Sequence, residues 1–557
     1  MTNELRRMLG LPSVPAAGHV ASAFCQMVFV LGGVKLMTFQ RVSGVLAHPT
    51  SLPGPHGIGD IGEAAFRFVD WLAVAGQRLW QVMPLGPTGY GDSPYASPSA
   101  FAGNPLLVSL PWLTGDGLLS EKDLGDHPPF PEFEVQYGPV IEFKYRLLHR
   151  AFDAFRRGAA AHHRLDLERF CVEEADWLDD YALFMALKEH HEWQSWSTWP
   201  DDIRLRTPDA LFRWQERLND AIRFHKFVQF HFRRQWAELK RYANDRHIRI
   251  VGDIPIFVAD DSADVWSHRE LFRLDDEGKP TVVSGVPPDL FTSEGQRWGN
   301  PVFDWAENRR TGFAWWIDRL RAAHTLYDVV RIDHFRGFSA SWSVPADAPT
   351  AANGRWDAGP GREIFDRFTV ELGDVPIIVE DLGLITSDVT LLRDELKLPG
   401  MKVLQFAFDE DPDNVYLPHA YEHNCVVYTG THDNQTTIGW YQSLSEGRRQ
   451  QLQRYLGHDG SDIAWDLLRL ALSSVAHTAV IPLQDIMRLG DEARMNTPGR
   501  AMGNWVWRFL PHQLHHGLAA GLGELTEAYG RHRRAPRVAV ADPYDYTAER
   551  TLHLLAG

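Results

Sequence analysis

Eight short apolar runs, each ending in polar residues, constrain this chain more than any other feature of its sequence. They lie at Gly44–Ala47, Leu79–Leu85, Ile248–Val258, Tyr327–Phe335, Val375–Leu382, Met401–Phe408, Cys425–Thr431 and Thr478–Leu483. Continuous apolar runs of this length read as strands buried on both faces. Amphipathic stretches lie between most of them. Ala64–Ala75 puts Phe68, Trp71, Leu72 and Ala75 on one helical stripe, and Ile463–Val475 does the same with Trp465, Leu468, Leu472 and Val475.

Strands alternating with such helices form parallel α/β sheets, and eight units favour closure into a (β/α)8 TIM barrel over an open sheet. The spacing is uneven. Between Leu85 and Ile248 lies a long helix-patterned segment, including Glu174–His191 and Leu211–Asn244, that is too much for one crossover. A smaller insertion follows the third strand. The expected architecture is a catalytic barrel over 37–557, with subdomains inserted at about 87–247 and 257–314 on its C-terminal face. The last strand leads into a helical tail, and no composition shift marks a separate C-terminal β domain. Residues 1–36 are read as an extension or a misassigned start, because Met37 directly precedes the point where recognisable structure begins.

Charge narrows the partners. Lys and Arg total 56 against 73 Asp and Glu, a formal charge of −17, so nucleic acid and anionic membranes are repelled. The apolar run Ala21–Val34 is too short to span a bilayer, and no small-residue cleavage site follows it. Cys25, Cys171 and Cys425 stand far apart without paired spacing, which fits a reducing, cytoplasmic setting.

Barrel enzymes act through side chains at the C-terminal ends of strands. Here those ends read Gly252-Asp253-Ile254-Pro255, Arg331-Ile332-Asp333-His334, Glu380-Asp381-Leu382-Gly383 and Thr431-His432-Asp433-Asn434. A single Asp after a strand is ordinarily a helix cap or turn former. Four carboxylates at one mouth repel each other, which is tolerable if Arg331 offsets one and another stays protonated. Two acids in unequal environments are what retaining glycoside chemistry needs. On this reading Asp333 is the nucleophile, kept ionised by Arg331 two residues earlier on the same face, and Glu380 is the acid/base. Asp433 and His432 would bind sugar hydroxyls.

These motifs resemble the amylomaltases, glycoside hydrolase family 77. The similarity extends to Val45–Gly54, Gly91-Asp92-Ser93-Pro94-Tyr95, Ala102-Gly103-Asn104-Pro105 and Gly295–Pro301, and runs in order over roughly residues 39–550. It implies transfer of α-1,4-glucan segments from maltooligosaccharides or starch to a glucan or glucose acceptor, without an obligatory metal or organic cofactor. By motif position Asp433 resembles the transition-state stabiliser, and Tyr95, Asp253, Arg331 and His432 the residues around the donor sugar. Asp289, Gln296 and Trp298 resemble acceptor-side contacts on a loop covering the cleft. That loop departs from the family pattern: Leu290-Phe291 follows Pro287-Pro288-Asp289 where two aromatics are common, which removes one stacking platform.

Three other motifs have plainer readings. Gly57–Gly62 matches a dinucleotide fingerprint but follows a Pro-rich loop and has no acidic residue about 20 positions on. Asp409–Asn414 lacks the Gly and the terminal Glu of a calcium loop, and His512, His515 and His516 have no HExxH carboxylate. The rival functions are an α-amylase-type hydrolase, separable by net gain of reducing ends, and a non-catalytic glucan-binding protein, which would lack one of the three acids.

Overall fold

The computed structural model describes residues 41–288 and 293–532; the readings for residues 1–36, Asp289 and Leu290-Phe291 lie outside them. Twelve strands, numbered in chain order, are β1 (Val42–Leu46), β2 (Leu79–Gln81), β3 (Arg249–Pro255), β4 (Val282–Val286), β5 (Gln296–Pro301), β6 (Val329–Asp333), β7 (Ala340–Pro345), β8 (Arg355–Ala358), β9 (Ile377–Val379), β10 (Gly400–Val403), β11 (Cys425–Tyr428) and β12 (Thr478–Pro482). The eight apolar runs supply one parallel sheet in the order β10-β11-β12-β1-β2-β3-β6-β9, a cyclic permutation of chain order that makes a (β/α)8 barrel. Every residue of β1, β2, β9, β11 and β12 is buried, as strands covered on both faces require.

The two ends of this sheet meet at a seam between β9 and β10. There Val379 N–H donates to Pro399 O at 3.0 Å. The remaining seam bond is made by a side chain: Asp381 Oδ1 accepts from Met401 N–H at 2.7 Å, while Arg393 holds Oδ2 at 2.6 Å. Gly400 makes this fit possible, because a Cβ there would lie 2.3 Å from the Asp381 carboxylate.

Several ladders are shorter than their apolar runs. The run Leu79–Leu85 pairs only to Gln81, and Ile248–Val258 only to Pro255. Val82, Met83, Leu85, Ile256, Phe257 and Val258 remain buried after leaving the ladder, so burial outlasts pairing and hides the strand end. The stretch expected at Leu211–Asn244 is two helices, Pro208–Arg217 and Asn219–Asp245, broken at Leu218 (φ −106°, ψ 19°). Helix Ile463–Ser473 stops before Val475, which is therefore 52% exposed instead of lying on the buried stripe.

The long helix Asn219–Asp245 fixes the loop that reaches the barrel mouth. Its buried Gln229 amide bonds both N and O of Gly103 at 2.8 Å, and Gln235 does the same for Ser109 at 2.7 and 3.2 Å. Gly103 packs so closely on Phe232 that a Cβ would meet the ring at 2.0 Å. Strands β5-β4-β7-β8 form a separate antiparallel sheet, inserted between β3 and β9 of the barrel. After β12 the described residues carry short helices and turns, then helix His516–Ala528. No helix among the described residues is long and apolar enough to cross a membrane.

Candidate active site

Register brings the acids together. In the β3–β6 ladder Asp253 pairs with Arg331 and Pro255 with Asp333; in β6–β9 Ile332 pairs with Val379. The next step of that ladder sets Asp333 beside Glu380, and Glu380 N–H still bonds Ile332 O at 2.9 Å. Adjacent strands lie about 4.8 Å apart, and register neighbours point to one face. The two carboxyls thus emerge side by side, close enough that the charge of Asp333 acts on Glu380.

Their environments differ. Arg331, 3% exposed, reaches Asp333 Oδ1 at 2.9 Å and Asp253 Oδ2 at 2.5 Å. Burial works against the guanidinium charge, but Asp253 and Asp333 outweigh it and hold Arg331 firmly protonated. Glu380 has no such cation in contact. It accepts from two backbone amides, His334 N–H at 2.8 Å and Leu382 N–H at 2.7 Å. Burial first, and the Asp333 charge second, push its pKa from 4.5 up to about 8. One carboxylate is held by a cation and its neighbour is kept protonated at neutral pH, the split expected of nucleophile and acid.

The chain turns sharply to make this arrangement. His334 sits in the left-handed region (φ 53°), a conformation costly for a side-chain-bearing residue and found where function constrains the backbone. Its ring is held neutral, burial pushing it down to about 4, and packs edge-on against Trp298 with centroids 4.7 Å apart.

Across the mouth, Tyr95 OH donates to Asp253 Oδ2 at 2.8 Å, and its ring stacks on His432 at 5.1 Å with 17° between planes. Burial pushes Asp253 upward against the pull of Arg331, and pushes Tyr95 well above its ordinary value, so the phenol stays a donor. Asp433, with its side chain 47% exposed, accepts from Asn496 Nδ2 at 2.6 Å and lies 3.3 Å from His432 Nε2. Arg494 donates to the Asp433 backbone carbonyl and to Asn496 O, both at 2.8 Å.

Of the residues read from sequence, Tyr95, Asp253, Arg331, Asp333, Glu380, His432 and Asp433 are joined by these contacts. Gln296 and Trp298 lie on strand β5 of the antiparallel sheet and not on a plain loop; Trp298 is 39% exposed and donates to Gln296 Oε1 at 3.2 Å. Asp289 lies outside the described residues. Sequence reading missed Arg494, Asn496 and Trp505. All three lie well beyond the end of β12, in a loop that only the fold brings to the mouth. Trp505 has φ 64° and packs within 5.8 Å of both Tyr95 and His432.

The other motifs take structural roles. Gly57–Gly62 connects a short turn to helix Glu63–Val74 with no strand before it. Asp409 and Asp411 accept backbone N–H groups two residues on, at 3.1 and 3.0 Å, and His515 caps helix His516–Ala528. Among the described residues Asp116, His162 and His163 bring ligand atoms within 4.8 Å of one another. Arg234 already fills that space, pairing with Asp116 and reaching His163 Nε2 at 2.7 Å, so a metal cation would meet a fixed positive charge.

Comparison with known proteins agrees with this geometry. The family model described as 4-alpha-glucanotransferase matches residues 47–513. A 4-alpha-glucanotransferase of Synechocystis sp. is 52% identical over 501 residues, covering 89% of this chain and 99% of the relative. One from Thermus thermophilus is 50% identical over 503 residues, covering 89% and 100%. The solved amylomaltase from Streptococcus agalactiae in complex with acarbose superposes with a TM-score of 0.86 at 38% identity, covering 89% of this chain and 100% of that one. The carboxylate-lined barrel mouth and these relatives lead to one assignment: this chain belongs to the 4-alpha-glucanotransferase family, glycoside hydrolase family 77.

Proposed function

We propose that this enzyme transfers α-1,4-glucan segments by a retaining double displacement. Asp333 attacks the anomeric carbon of the donor sugar while Glu380 gives its proton to the departing O4 oxygen, so the glycosidic bond breaks as a glycosyl ester forms. The 4-hydroxyl of a glucan or glucose acceptor then attacks that carbon. Glu380 takes the hydroxyl proton, the ester bond breaks, and Asp333 returns to its starting state. Asp433, steadied by Asn496, and His432 hold the hydroxyls of the flattening ring; Tyr95 stacks on its face. Arg331 sets its positive charge against Asp333, and Asp253 orients Arg331 and Tyr95.

The observation that carries this reading is the contrast between Asp333, in contact with Arg331, and Glu380, pushed up to about 8. Trp298 packs against His334 and donates to Gln296; we assign both to the acceptor side, where the indole would disfavour water in the second step. Asp289 is assigned there by motif position alone. The free thiols Cys171 and Cys425 favour a reducing cytoplasm.

Incubation with maltotriose tests the scheme. Transfer yields glucose plus longer chains with constant reducing ends, and Asp333→Asn abolishes it. Retained activity in that variant removes the nucleophile assignment, and a rise in reducing ends with the intact chain favours a hydrolase.

A further inference from the structure

Met401, buried on strand β10, touches the supports of both proposed catalytic acids. Its backbone N–H donates to Asp381 Oδ1 at 2.7 Å, one residue past Glu380. Its thioether Sδ accepts from Arg331 Nε at 3.4 Å. The guanidinium is therefore held at each of its three nitrogens: Nε on the sulfur, Nη1 on Asp253 Oδ2 at 2.5 Å, and Nη2 on Asp333 Oδ1 at 2.9 Å.

A guanidinium is a rigid plane with its N–H groups in a fixed fork. The contact at Nε sets the tilt of that plane about the Cδ–Nε bond, and with it the direction from which Nη2 meets Asp333. A buried methionine ordinarily fills a gap in a core. Here its sulfur also stands on the arginine that faces the proposed nucleophile. A thioether is a weak, uncharged acceptor. A carboxylate in its place would draw the guanidinium charge away from Asp333, and a hydrocarbon would leave the buried Nε–H without this partner.

We propose that Met401 is a positioning residue for glycosyl transfer: its sulfur sets the plane of Arg331, and through it the aim of Asp333 at the anomeric carbon. The inference rests on the assignment of Asp333 as nucleophile. Its effect falls on formation of the glycosyl ester and not on proton donation. The Met401 side chain reaches Arg331, whereas the contact with Asp381 is made by the backbone and survives any substitution except proline.

Two variants and two donors test it. Met401→Leu keeps the apolar volume without an acceptor, and Met401→Gln restores a neutral acceptor at similar length. With maltotriose, kcat of Met401→Leu is expected to fall about tenfold while KM stays within about twofold. Met401→Gln is expected to turn over about threefold faster than Met401→Leu, a rescue that volume filling alone does not give. With α-maltotriosyl fluoride the C1–F bond breaks and fluoride leaves without a proton, but the ester to Asp333 must still form, so the loss in Met401→Leu persists. Parental kcat in folded Met401→Leu overturns the proposal, as does a folded Met401→Gln no faster than Met401→Leu. A loss that vanishes with the fluoride donor also overturns it, because the defect then lies at Glu380. Failure of the glucanotransferase reading looks different: the intact enzyme then makes no transfer products from maltotriose.

Discussion

Raising the pH through about 8 should disarm Glu380. Its ordinary carboxyl value of 4.5 rises to about 8, and at about 1.36 kcal/mol per tenfold change that difference opposes ionisation by about 5 kcal/mol. Two measurable effects follow. The rate of glucose release from maltotriose, measured as kcat/KM, falls tenfold per pH unit above about 8, because the departing O4 loses its proton donor. Stability carries the same sign: a carboxyl raised on folding contributes fully below 4.5, and that contribution is lost as pH climbs through about 8. Glu380→Gln keeps the shape without the charge, so it should melt progressively higher than the parent as pH goes from 5 to 9. A chain this size has an unfolding entropy of about 1.2 kcal/mol/K, which makes the gain about 4 °C. An alkaline limb centred below pH 6, or a Glu380→Gln melting curve parallel to the parent's at every pH, refutes the reasoning.

Arg331→Met leaves Asp253 and Asp333 facing each other without their cation; loss of about 3–5 kcal/mol of stability is expected by denaturant unfolding, with kcat falling as Asp333 loses the contact that holds it. Asn496→Ala removes the 2.6 Å bond to Asp433, and kcat should drop about 10- to 100-fold with little change in KM if that bond serves the transition state. Trp298→Ala opens the acceptor side, so the ratio of reducing-end gain to glucose transfer from maltotriose should rise; an unchanged ratio counts against a water-excluding role.

Much of this molecule could be read before its coordinates. The eight strands were legible because parallel strands are buried on both faces, which leaves dense apolar runs with little else to mistake them for. Their ends were not, since Val82 through Leu85 stay buried after pairing stops. Asp333, Glu380 and Asp433 could be singled out because each stands at or just past the polar end of such a run. Asn496 and Trp505 share a loop beyond the last strand, with no periodic pattern around them, and become visible only when β12 brings that loop back over the mouth. The break at Leu218 escaped for a related reason: helical periodicity continues on both sides of one residue whose backbone departs from it.

The seam at Asp381 has a consequence for how this enzyme can change over time. The Asp381 carboxylate shares with one backbone bond the fastening of the two edges of the barrel, and the residue just before it is the proposed proton donor. On that assignment, a substitution that loosens the fastening is expected to move the donor as well. Selection on activity therefore guards the integrity of the ring at its weakest join, and sequence drift in this stretch is penalised twice for one change.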